Sequence, residues 1–381
     1  MKSKRRFLKL GTVGILTILL ILLLISRFTL GRGKNYPDLS TEPLYSENAL
    51  EIAATMDMPL GNPAVSADGR LFLNLHPLAQ PQGAKVFEWV NGKAVPFPDE
   101  AFQSNFKNAL GMFIDRQNRL WILDYAATSA TNTRLLAFDL DTNEVVYDHT
   151  FGEEGTNLND LQVSPDGNTV YFSAPGLLFL RTPAIVVHDI QSGETRRLLE
   201  GHHSVLPENW IVKSDNKPLW MVPGLILFRL GVDGIALSKD GEWLYYGGIT
   251  NDGLYGVRTN DLLNENLSTD ELSNRVEYIG QKPLSDGFSA DLEGNIYITD
   301  VEHHGIARMS PDGILQTLVH DERVRWADGI SFGPENYIYF TDSDIPSILG
   351  SLIPWSGLNL VENGPYHIFR FQSDKPGIAG G

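Results

Sequence analysis

The sequence contains no cysteine among its 381 residues. This absence excludes disulfide bonds, a thiol nucleophile and a thiolate metal site. The chain also lacks a G-x-S-x-G elbow, a phosphate-binding P-loop, an H-E-x-x-H motif and an EF-hand loop. The short motifs that usually identify those catalytic and metal-binding classes are therefore missing.

Acidic residues are absent from the first 34 positions, which carry eight Lys and Arg side chains. The rest of the chain has 22 basic against 47 acidic residues, so its net charge is −25 although the whole chain has −17. Such an acidic body argues against nucleic acid or anionic lipid as the partner of the folded part. It suits a cationic or neutral small ligand better.

Residues 10–26 form an uncharged stretch rich in Leu and Ile, preceded by five basic residues. At ~1.5 Å per residue a helix of this length covers about 25 Å, close to the lower limit for crossing a bilayer. We expect residues 1–30 to be a signal anchor with a transmembrane helix, followed by a linker at 31–48. The excess of basic residues before the stretch places the remainder of the chain on the extracytoplasmic side.

Two alternatives to the anchor remain, a cleaved signal peptide and a buried core helix. Residues 26–32 show no small-residue cleavage pattern, which favours the anchor. In the anchored case a lipid bilayer is a partner of the N-terminal helix. With a cleaved leader the protein would be secreted.

An internal repeat indicates the architecture. Each copy has a short apolar strand, a turn such as Asp-Gly, and a second strand rich in Tyr, Phe, Trp, Ile and Leu. The six copies are at residues 61–75, 110–124, 159–174, 233–248, 286–300 and 328–342. This spacing predicts an all-β, six-bladed β-propeller over residues 49–372, with a flexible tail at 373–381. A pair of β-sandwiches would not explain six copies of one hairpin.

Three further features accompany the repeat. The strands near residues 50–56 and 366–371 are expected to help close the ring. A capping box from Ser268 to Glu271 predicts a short helix that ends near Val276. The insertion between the third and fourth copies contains Trp210, Trp220 and an apolar run at 225–228, which is either a lid over the channel or a buried extra strand.

The residues that head the six copies would meet at one end of the central channel. Four of them carry oxygen, namely Asn159, Asp233, Asp286 and Asp328, whereas Gly61 and Leu110 do not. Three carboxylates at one place need a cation or a bound ligand to offset their repulsion. Oxygen donors of this kind suit a divalent cation, Ca²⁺ above all. The alternative is that Asp-Gly at a strand start only caps a turn.

Glu302 and His303 follow the fifth copy, where either could act as a general base near a metal-bound water. The alternative is a surface histidine pair. The Asp residues in the hairpin turns are expected to be structural, and those that end the second strands, Asp124, Asp300 and Asp342, are expected mostly to bond nearby backbone.

The sequence resembles the yellow and major royal jelly protein family, in particular its bacterial members, which are described as related to dopachrome tautomerase. The resemblance rests on GNPAVSADGRLFLNLHP, LGMFIDRQNRLWILD, LNDLQVSPDG, EGHHSV, GVDGIALSKDGEWLYYGGITNDGLYGV, KPLSDGFSADLEGNIYITDVEHHGIARMSPDG and PYHIFRF. It covers residues 50–371. It implies a six-bladed propeller, usually secreted, whose cavity binds small biogenic amines in some animal members.

A more distant resemblance is to the gluconolactonase and senescence-marker group, lactone hydrolases with one divalent metal in the channel. That group has a Glu in the first repeat, then Asn, Asn and Asp. Asn159 and Asp286 match this pattern, Asp233 stands in place of an Asn, and Gly61 with Asn62 beside it lacks the Glu.

Two functions follow as hypotheses. The first is metal-dependent hydrolysis of a lactone or related cyclic compound, with Glu302 or His303 moving the proton. The second is non-catalytic binding of a small cationic or aromatic molecule. A protein-interaction scaffold is open to any propeller and has no specific support in this sequence.

Overall fold

The computed structural model describes residues 26–124, 132–176, 181–353 and 356–380. Six antiparallel four-stranded sheets form a six-bladed propeller, which confirms the predicted fold class. Within these described ranges no helix is long and apolar enough to cross a membrane. Apart from Ser26, the apolar stretch at 10–26 lies outside the described residues.

The first three blades follow the chain, and each runs from the channel outwards. Blade 1 comprises Leu60–Val65, Leu71–Leu75, Val86–Val90 and Lys93–Pro96; blade 2 Ala109–Ile114, Arg119–Asp124, Arg134–Asp139 and Val145–Thr150; blade 3 Leu161–Val163, Thr169–Ala174, Ala184–Asp189 and Thr195–Leu198. The first two strands of each blade are the hairpin predicted from the repeat.

The last three blades repeat this plan. Blade 4 comprises Val232–Leu237, Trp243–Gly248, Gly253–Arg258 and Glu277–Gln281; blade 5 Phe288–Ala290, Ile296–Asp300, Gly305–Met309 and Leu315–His320; blade 6 Ala327–Phe332, Tyr337–Asp342, Tyr366–Gln372 and, from the N-terminal side, Glu51–Met56. Blade 6 therefore joins both ends of the propeller chain, as the strand pattern predicted.

The hairpin turns follow from their Ser-x-Asp-Gly sequences. The hydroxyls of Ser164 and Ser238 each donate to the Asp two residues on, at 2.5 Å. The next residues, Gly167 and Gly241, have φ of 74° and 72°, which glycine adopts without steric cost. These turn aspartates are structural, as predicted.

The apolar core consists of clusters between neighbouring blades. Trp121 and Leu123 of blade 2, for example, pack with Val170 and Phe172 of blade 3. Side chains alternate along a strand, so the buried faces of each sheet contact the blades on both sides. A separate cluster of Tyr36, insertion residues and helix residues covers the channel mouth, the end at which the inner strands begin.

Short helices lie outside the sheets, at Thr259–Leu263, Thr269–Ser273 and Ile345–Ser351. The capping box between Ser268 and Glu271 is present as predicted, although the helix ends at Ser273. Single turns of 3-10 helix occur at Glu47–Ala49, Pro77–Ala79, Phe102–Asn105, Glu153–Gly155 and Pro334–Asn336. The helix at Ile345–Ser351 was not predicted, although Asp344 caps it and a proline occupies its first turn.

The insertion at 205–231 forms small two-stranded sheets over the mouth. Lys213–Ser214 pairs with Lys217–Pro218, and Trp220–Val222 pairs with Ile226–Leu227. Trp210–Ile211 pairs in parallel with Lys34–Asn35 from the predicted linker, whose Tyr36 is buried with its hydroxyl 2.5 Å from the Lys282 carbonyl. The residues that follow the predicted anchor are thus packed on the propeller.

The C-terminal residues, predicted as a flexible tail, cross the other end of the channel. The Pro376 carbonyl accepts a hydrogen bond from the Leu292 amide at 2.8 Å, and the Gly380 amide donates to the Phe332 carbonyl at 2.8 Å. A Cβ on Gly377 would lie 2.1 Å from the Phe332 ring, so this close approach requires glycine. The segment therefore covers the end of the channel opposite the mouth.

Candidate functional site

A cavity of about 290 Å³ lies at the channel mouth. All four residues predicted from the repeat column line it: Asn159, Asp233, Asp286 and Asp328. Asn62 of blade 1 lies in the same wall. The repeat thus brings together oxygen-bearing side chains that are up to 169 positions apart in the chain.

The glycines that follow the three column aspartates, Asp233, Asp286 and Asp328, explain how the inner strands can meet. A Cβ on Gly234 would lie 2.5 Å from the Asp286 carbonyl oxygen, and one on Gly287 would lie 2.4 Å from that of Asp328. Contacts this short exclude any side chain. The Asp-Gly pairs of the inner strands therefore allow neighbouring blades to approach each other, unlike the Asp-Gly pairs of the hairpin turns.

Backbone bulges occur beside the column residues. The pairing register shifts between Val232 and Ile235 in blade 4, and between Ala327 and Ile330 in blade 6. A bulge of this kind redirects a side chain that would otherwise follow the regular pleat. In blade 5 the Thr299 hydroxyl accepts hydrogen bonds from the Asp286 and Gly287 amides, at 2.9 and 3.0 Å, which fixes the backbone of that column position.

Neutral donors hold the carboxylates in place. The Asn159 amide nitrogen donates to Asp233, and the Trp326 indole donates to Asp286 at 2.7 Å. The Asn62 side chain donates to Asp160 at 2.8 Å. No Lys or Arg ion pair was found for these carboxylates in the described part of the chain, so their negative charge is only partly offset by hydrogen bonds.

Burial dominates the electrostatics of the mouth. It raises the pKa of Asp286 to about 7 and that of Asp160 to about 6, and it raises the pKa of Asp233 and Asp328 well above the usual range. The charges of neighbouring carboxylates raise the pKa of Asp233 and Asp328 further. Burial and mutual repulsion therefore penalise the ionised forms of these carboxyl groups, and a bound cation would offset both effects.

Lys282 is buried behind this wall. Its ammonium donates to the Gly248 and Pro283 carbonyls at 2.9 and 3.1 Å and to the Ser285 hydroxyl at 2.7 Å. Burial lowers the pKa of Lys282 to about 7, so it is a weak source of positive charge for the carboxylates. The sequence offered no pattern that singled out this lysine.

Apolar side chains cover the carboxylates. Met221 and Phe228 come from the insertion, Leu78 from the loop after the second strand of blade 1, and Leu349 from the helix Ile345–Ser351. The insertion thus forms short strands that lie over the mouth. It has features of both predicted alternatives, the lid over the channel and the extra strand. The cavity has an acidic floor and an apolar roof.

His76 is a site residue that lies outside the repeat column. It is buried, it lines the cavity, and its Nδ1 accepts a hydrogen bond from the Leu78 amide at 3.2 Å. Burial lowers the pKa of His76 to about 4, so the ring is neutral at pH 7. Asp160, beside Asn159, was missed because it lies one position outside the column.

Glu302 and His303 lie outside the cavity lining. Glu302 accepts a hydrogen bond from the Lys213 amide at 2.8 Å, and burial raises its pKa to about 7. A hydrogen bond with Asp300 raises the pKa of His303 to about 9, and its Nε2 lies 3.5 Å from Asp38. Both side chains connect blade 5 to segments that cross its top, namely the insertion and the segment before the propeller. Their catalytic role stays a prediction.

The aspartates that end the second strands bond local backbone. Asp124 accepts from the amides of Lys107 and Asn108, both at 2.7 Å, and Asp342 accepts from the Trp326 amide at 3.0 Å. They fix the segment that enters each inner strand. This is the structural role expected for them.

The metal hypothesis depends on how the carboxylates are arranged. Throughout the described ranges, no group of three or more His, Asp or Glu side chains is close enough to hold a metal ion. The donors at the mouth have suitable chemistry for Ca²⁺, but the Asn159 amide presents its nitrogen to Asp233, and Asp286 is bound to Trp326. The arrangement does not fit a preassembled metal centre.

Comparison with known sequences places the chain among propellers of one family. The family model described as "Major royal jelly protein" matches residues 108–332. The chain is 24% identical over 238 residues to major royal jelly protein 3 of Apis mellifera, which covers 58% of this chain and 42% of the relative. It is 24% identical over 208 residues to major royal jelly protein 2 of the same organism, covering 50% and 43%. The matches thus span less than half the length of these relatives.

Solved structures with the same fold include two enzymes. A gluconolactonase from Xanthomonas campestris has a TM-score of 0.53 and 15% identity, and the match covers 91% of this chain and 98% of that one. A luciferin-regenerating enzyme has a TM-score of 0.52 and 13% identity, with 87% and 97% covered. At this level of identity the similarity shows the fold alone.

Proposed function

The chain belongs to the major royal jelly protein family, and from this premise we propose that it binds a small organic cation in the channel-mouth cavity. The observation that carries the proposal is the convergence of Asp233, Asp286 and Asp328 in one buried wall of that cavity. The ligand class is an amine attached to an apolar body.

The charge of the floor supports a cationic ligand. Three carboxylates lie at the floor, where burial and mutual repulsion penalise their ionised forms. An ammonium group would offset this repulsion and would donate charge-assisted hydrogen bonds to the carboxylate oxygens. A neutral ligand of the same shape would leave the repulsion in place.

The roof supports an apolar body. Met221, Phe228 and Leu349 face the same cavity as the carboxylates. A volume of about 290 Å³ is near the lower end of small-molecule sites, which are roughly 300–1,000 Å³. A single-ring amine is the size that this space accommodates.

Matched ligands test this proposal. We would titrate the protein calorimetrically at pH 8 with 2-phenylethylamine and with 2-phenylethanol. The two ligands share the same apolar part, but only the amine is charged. We expect binding of the amine and at least tenfold weaker binding of the alcohol. Asp328→Asn should weaken amine binding about tenfold or more, because one carboxylate partner loses its charge.

Asp312→Asn is the control variant, since Asp312 is an exposed residue of an outer hairpin in blade 5. It should leave amine binding unchanged. Equal affinity for the amine and the alcohol, or amine binding that survives Asp328→Asn unaltered, would contradict the proposal.

Lactone hydrolysis with a divalent cation is the second candidate. The oxygen-bearing side chains of Asn159, Asp233, Asp286 and Asp328 have the chemistry that favours it, although they would have to rearrange to hold a metal ion. Ca²⁺ is the cation whose preferences match this set, and a bound divalent cation would polarise a carbonyl and activate water. The similarity of the fold to a gluconolactonase is consistent with this candidate.

Metal analysis and turnover separate the two candidates. The purified chain is dialysed against Ca²⁺, Mg²⁺, Mn²⁺ or Zn²⁺ and its bound metal is measured, while proton release from glucono-δ-lactone is followed by titration. Stoichiometric metal with turnover that Asp286→Ala abolishes would favour the hydrolase. Neither metal nor turnover would leave amine binding as the function.

A further inference from the structure

Exposed apolar side chains surround the mouth of the channel. Leu78 and Leu352 line the cavity yet are 38% and 46% exposed, and Leu358 lies against Gly350 of the adjacent helix. Val222 follows Met221 on the hairpin over the mouth, and it is also exposed. These four residues and Phe28 are called the mouth rim.

The N-terminal segment reaches the propeller at this rim. The Leu30 carbonyl accepts a hydrogen bond from the Leu227 amide at 3.0 Å, and the Arg27 guanidinium lies 5.5 Å from the Trp220 ring. Both partners belong to the hairpin that covers the mouth. Phe28, between Arg27 and Leu30, is 55% exposed at the same place.

The chain before this contact is the apolar stretch at 10–26. Residues 27–35 are bound along the insertion, ending in the pairing of Lys34–Asn35 with Trp210–Ile211, so only a few residues separate the stretch from the rim. The sequence predicts that this stretch enters a bilayer. In that case its attachment point brings the mouth rim, rather than another face of the propeller, next to the bilayer.

The positive charges near the rim fit the same position. Arg27, Arg32 and Lys34 follow the stretch without an intervening acid, and Arg32 lies over the Phe28 ring at 4.3 Å. Basic and apolar side chains in one patch are typical of a surface that rests at the headgroup level of a membrane. By contrast, exposed Ile52, Val95 and Val146 lie on the edge strands of three different blades.

We propose that the mouth rim contacts a lipid bilayer, so that the cavity opens toward the membrane surface. The ligand of the cavity then arrives along the bilayer, where a molecule with an apolar body is enriched. This inference is independent of which ligand binds, because it depends on the rim and on the path of the N-terminal segment.

The absence of native cysteine allows a direct test. Full-length single-cysteine variants Leu352→Cys and Leu358→Cys carry an environment-sensitive fluorophore on the rim. Ile314→Cys and Val146→Cys carry it on an outer hairpin of blade 5 and on the outer edge of blade 2. Each protein is reconstituted into phosphatidylcholine vesicles, with and without phosphatidylcholine that bears a quencher near its headgroup.

We expect the rim fluorophores to be quenched about twofold or more and the two control positions to change little, because quenching requires contact at headgroup depth. Circular dichroism confirms the fold of each variant, and the two rim positions are independent of each other. Equal quenching at all four positions would overturn the proposal, as would failure of the full-length chain to float with the vesicles. If the rim fluorophores are unquenched and those of different copies lie close together, the rim contacts a second copy of the chain. That result would also overturn the proposal.

Discussion

Asp286 shows how a single side chain at the mouth is held in a state that favours a ligand. It is 6% exposed, its carboxylate accepts one hydrogen bond from Trp326, and burial raises its pKa to about 7. The folded protein therefore binds more protons at this group than the unfolded chain does between about pH 4 and pH 7. The contribution of Asp286 to stability falls as pH rises through that window.

Asp286→Asn removes the ionisable group but retains an oxygen that can accept from Trp326. We expect the variant to gain stability relative to the native protein as pH rises from 4 to 7, on the order of 2 kcal/mol. Urea unfolding at a series of pH values measures this difference. Asp312→Asn is the control and should show no such trend; a difference for Asp286→Asn that is constant with pH would contradict the assigned cause.

His303 has the same direction of pH dependence in a higher pH window, but in its case the charged form is the one that the fold favours. Its hydrogen bond with Asp300 raises the pKa to about 9, so its protonated form contributes stability that is complete below about pH 6.5 and is lost as pH rises toward 9. The variant His303→Gln should therefore be less stable than the native protein by about 1 kcal/mol at pH 6 and nearly equal to it at pH 10. Thermal unfolding at the two pH values checks this, and a deficit that grows with pH would refute it.

At the level of elements, the same dipeptide has two roles. Asp240-Gly241 forms a hairpin turn, in which the Asp accepts from Ser238 and the Gly has positive φ. Asp286-Gly287 directly precedes an inner strand, and there the Gly allows contact with blade 6 and the Asp lines the cavity. The repeat placed the two kinds of Asp-Gly in separate columns, but the sequence left open whether the pair at a strand start lines a site or only caps a turn.

Repetition also explains which elements could be predicted. Six hairpins, the closing strand at Glu51–Met56 and the capped helix at Thr269–Ser273 follow from local patterns of alternation, turn residues and capping. Ile345–Ser351 has only a capping Asp and a proline as local signals, so it was missed. The path of residues 376–380 depends on contacts with distant strands that no local pattern encodes.

The candidate site, like the fold, could be predicted where its residues belong to the repeat. The column residues could be found because each blade repeats them. His76, Asp160 and Lys282 could not, because their burial arises from loops and side chains of several blades. Glu302 and His303 were selected by their proximity in sequence to Asp286, and the structure gives them partners outside the cavity.

Ring closure by the N-terminal strand gives a test at this scale. Ala54 is 2% exposed and pairs with Ile368, whereas Ile52 of the same strand is 46% exposed and pairs with Phe369. Ala54→Asp would bury an unpaired carboxylate and should lower the free energy of unfolding by about 3 kcal/mol or more. Ile52→Asp should cost less than about 1 kcal/mol. Denaturant unfolding of the two variants compares them, and equal losses would mean that this strand is not closing blade 6 as described.

The whole molecule is a closed ring with one accessible end. Residues 376–380 cross the end opposite the mouth, and the space within the channel beside Gly380 is only about 20 Å³, room for about one water molecule. A ligand therefore reaches the carboxylates from the mouth, past the insertion and the helix Ile345–Ser351. The apolar roof and the acidic floor meet only in the complete ring, since their residues come from several blades, the insertion and the helix Ile345–Ser351.

In the proposed function the buried carboxylates at the mouth receive a cationic group. A crystal structure of the protein with bound 2-phenylethylamine tests this role most directly. We expect the nitrogen within about 3 Å of carboxylate oxygens of Asp233, Asp286 or Asp328, with the ring against Met221 and Phe228. An amine bound elsewhere on the propeller, or one whose ring rather than its nitrogen faces the carboxylates, would contradict it.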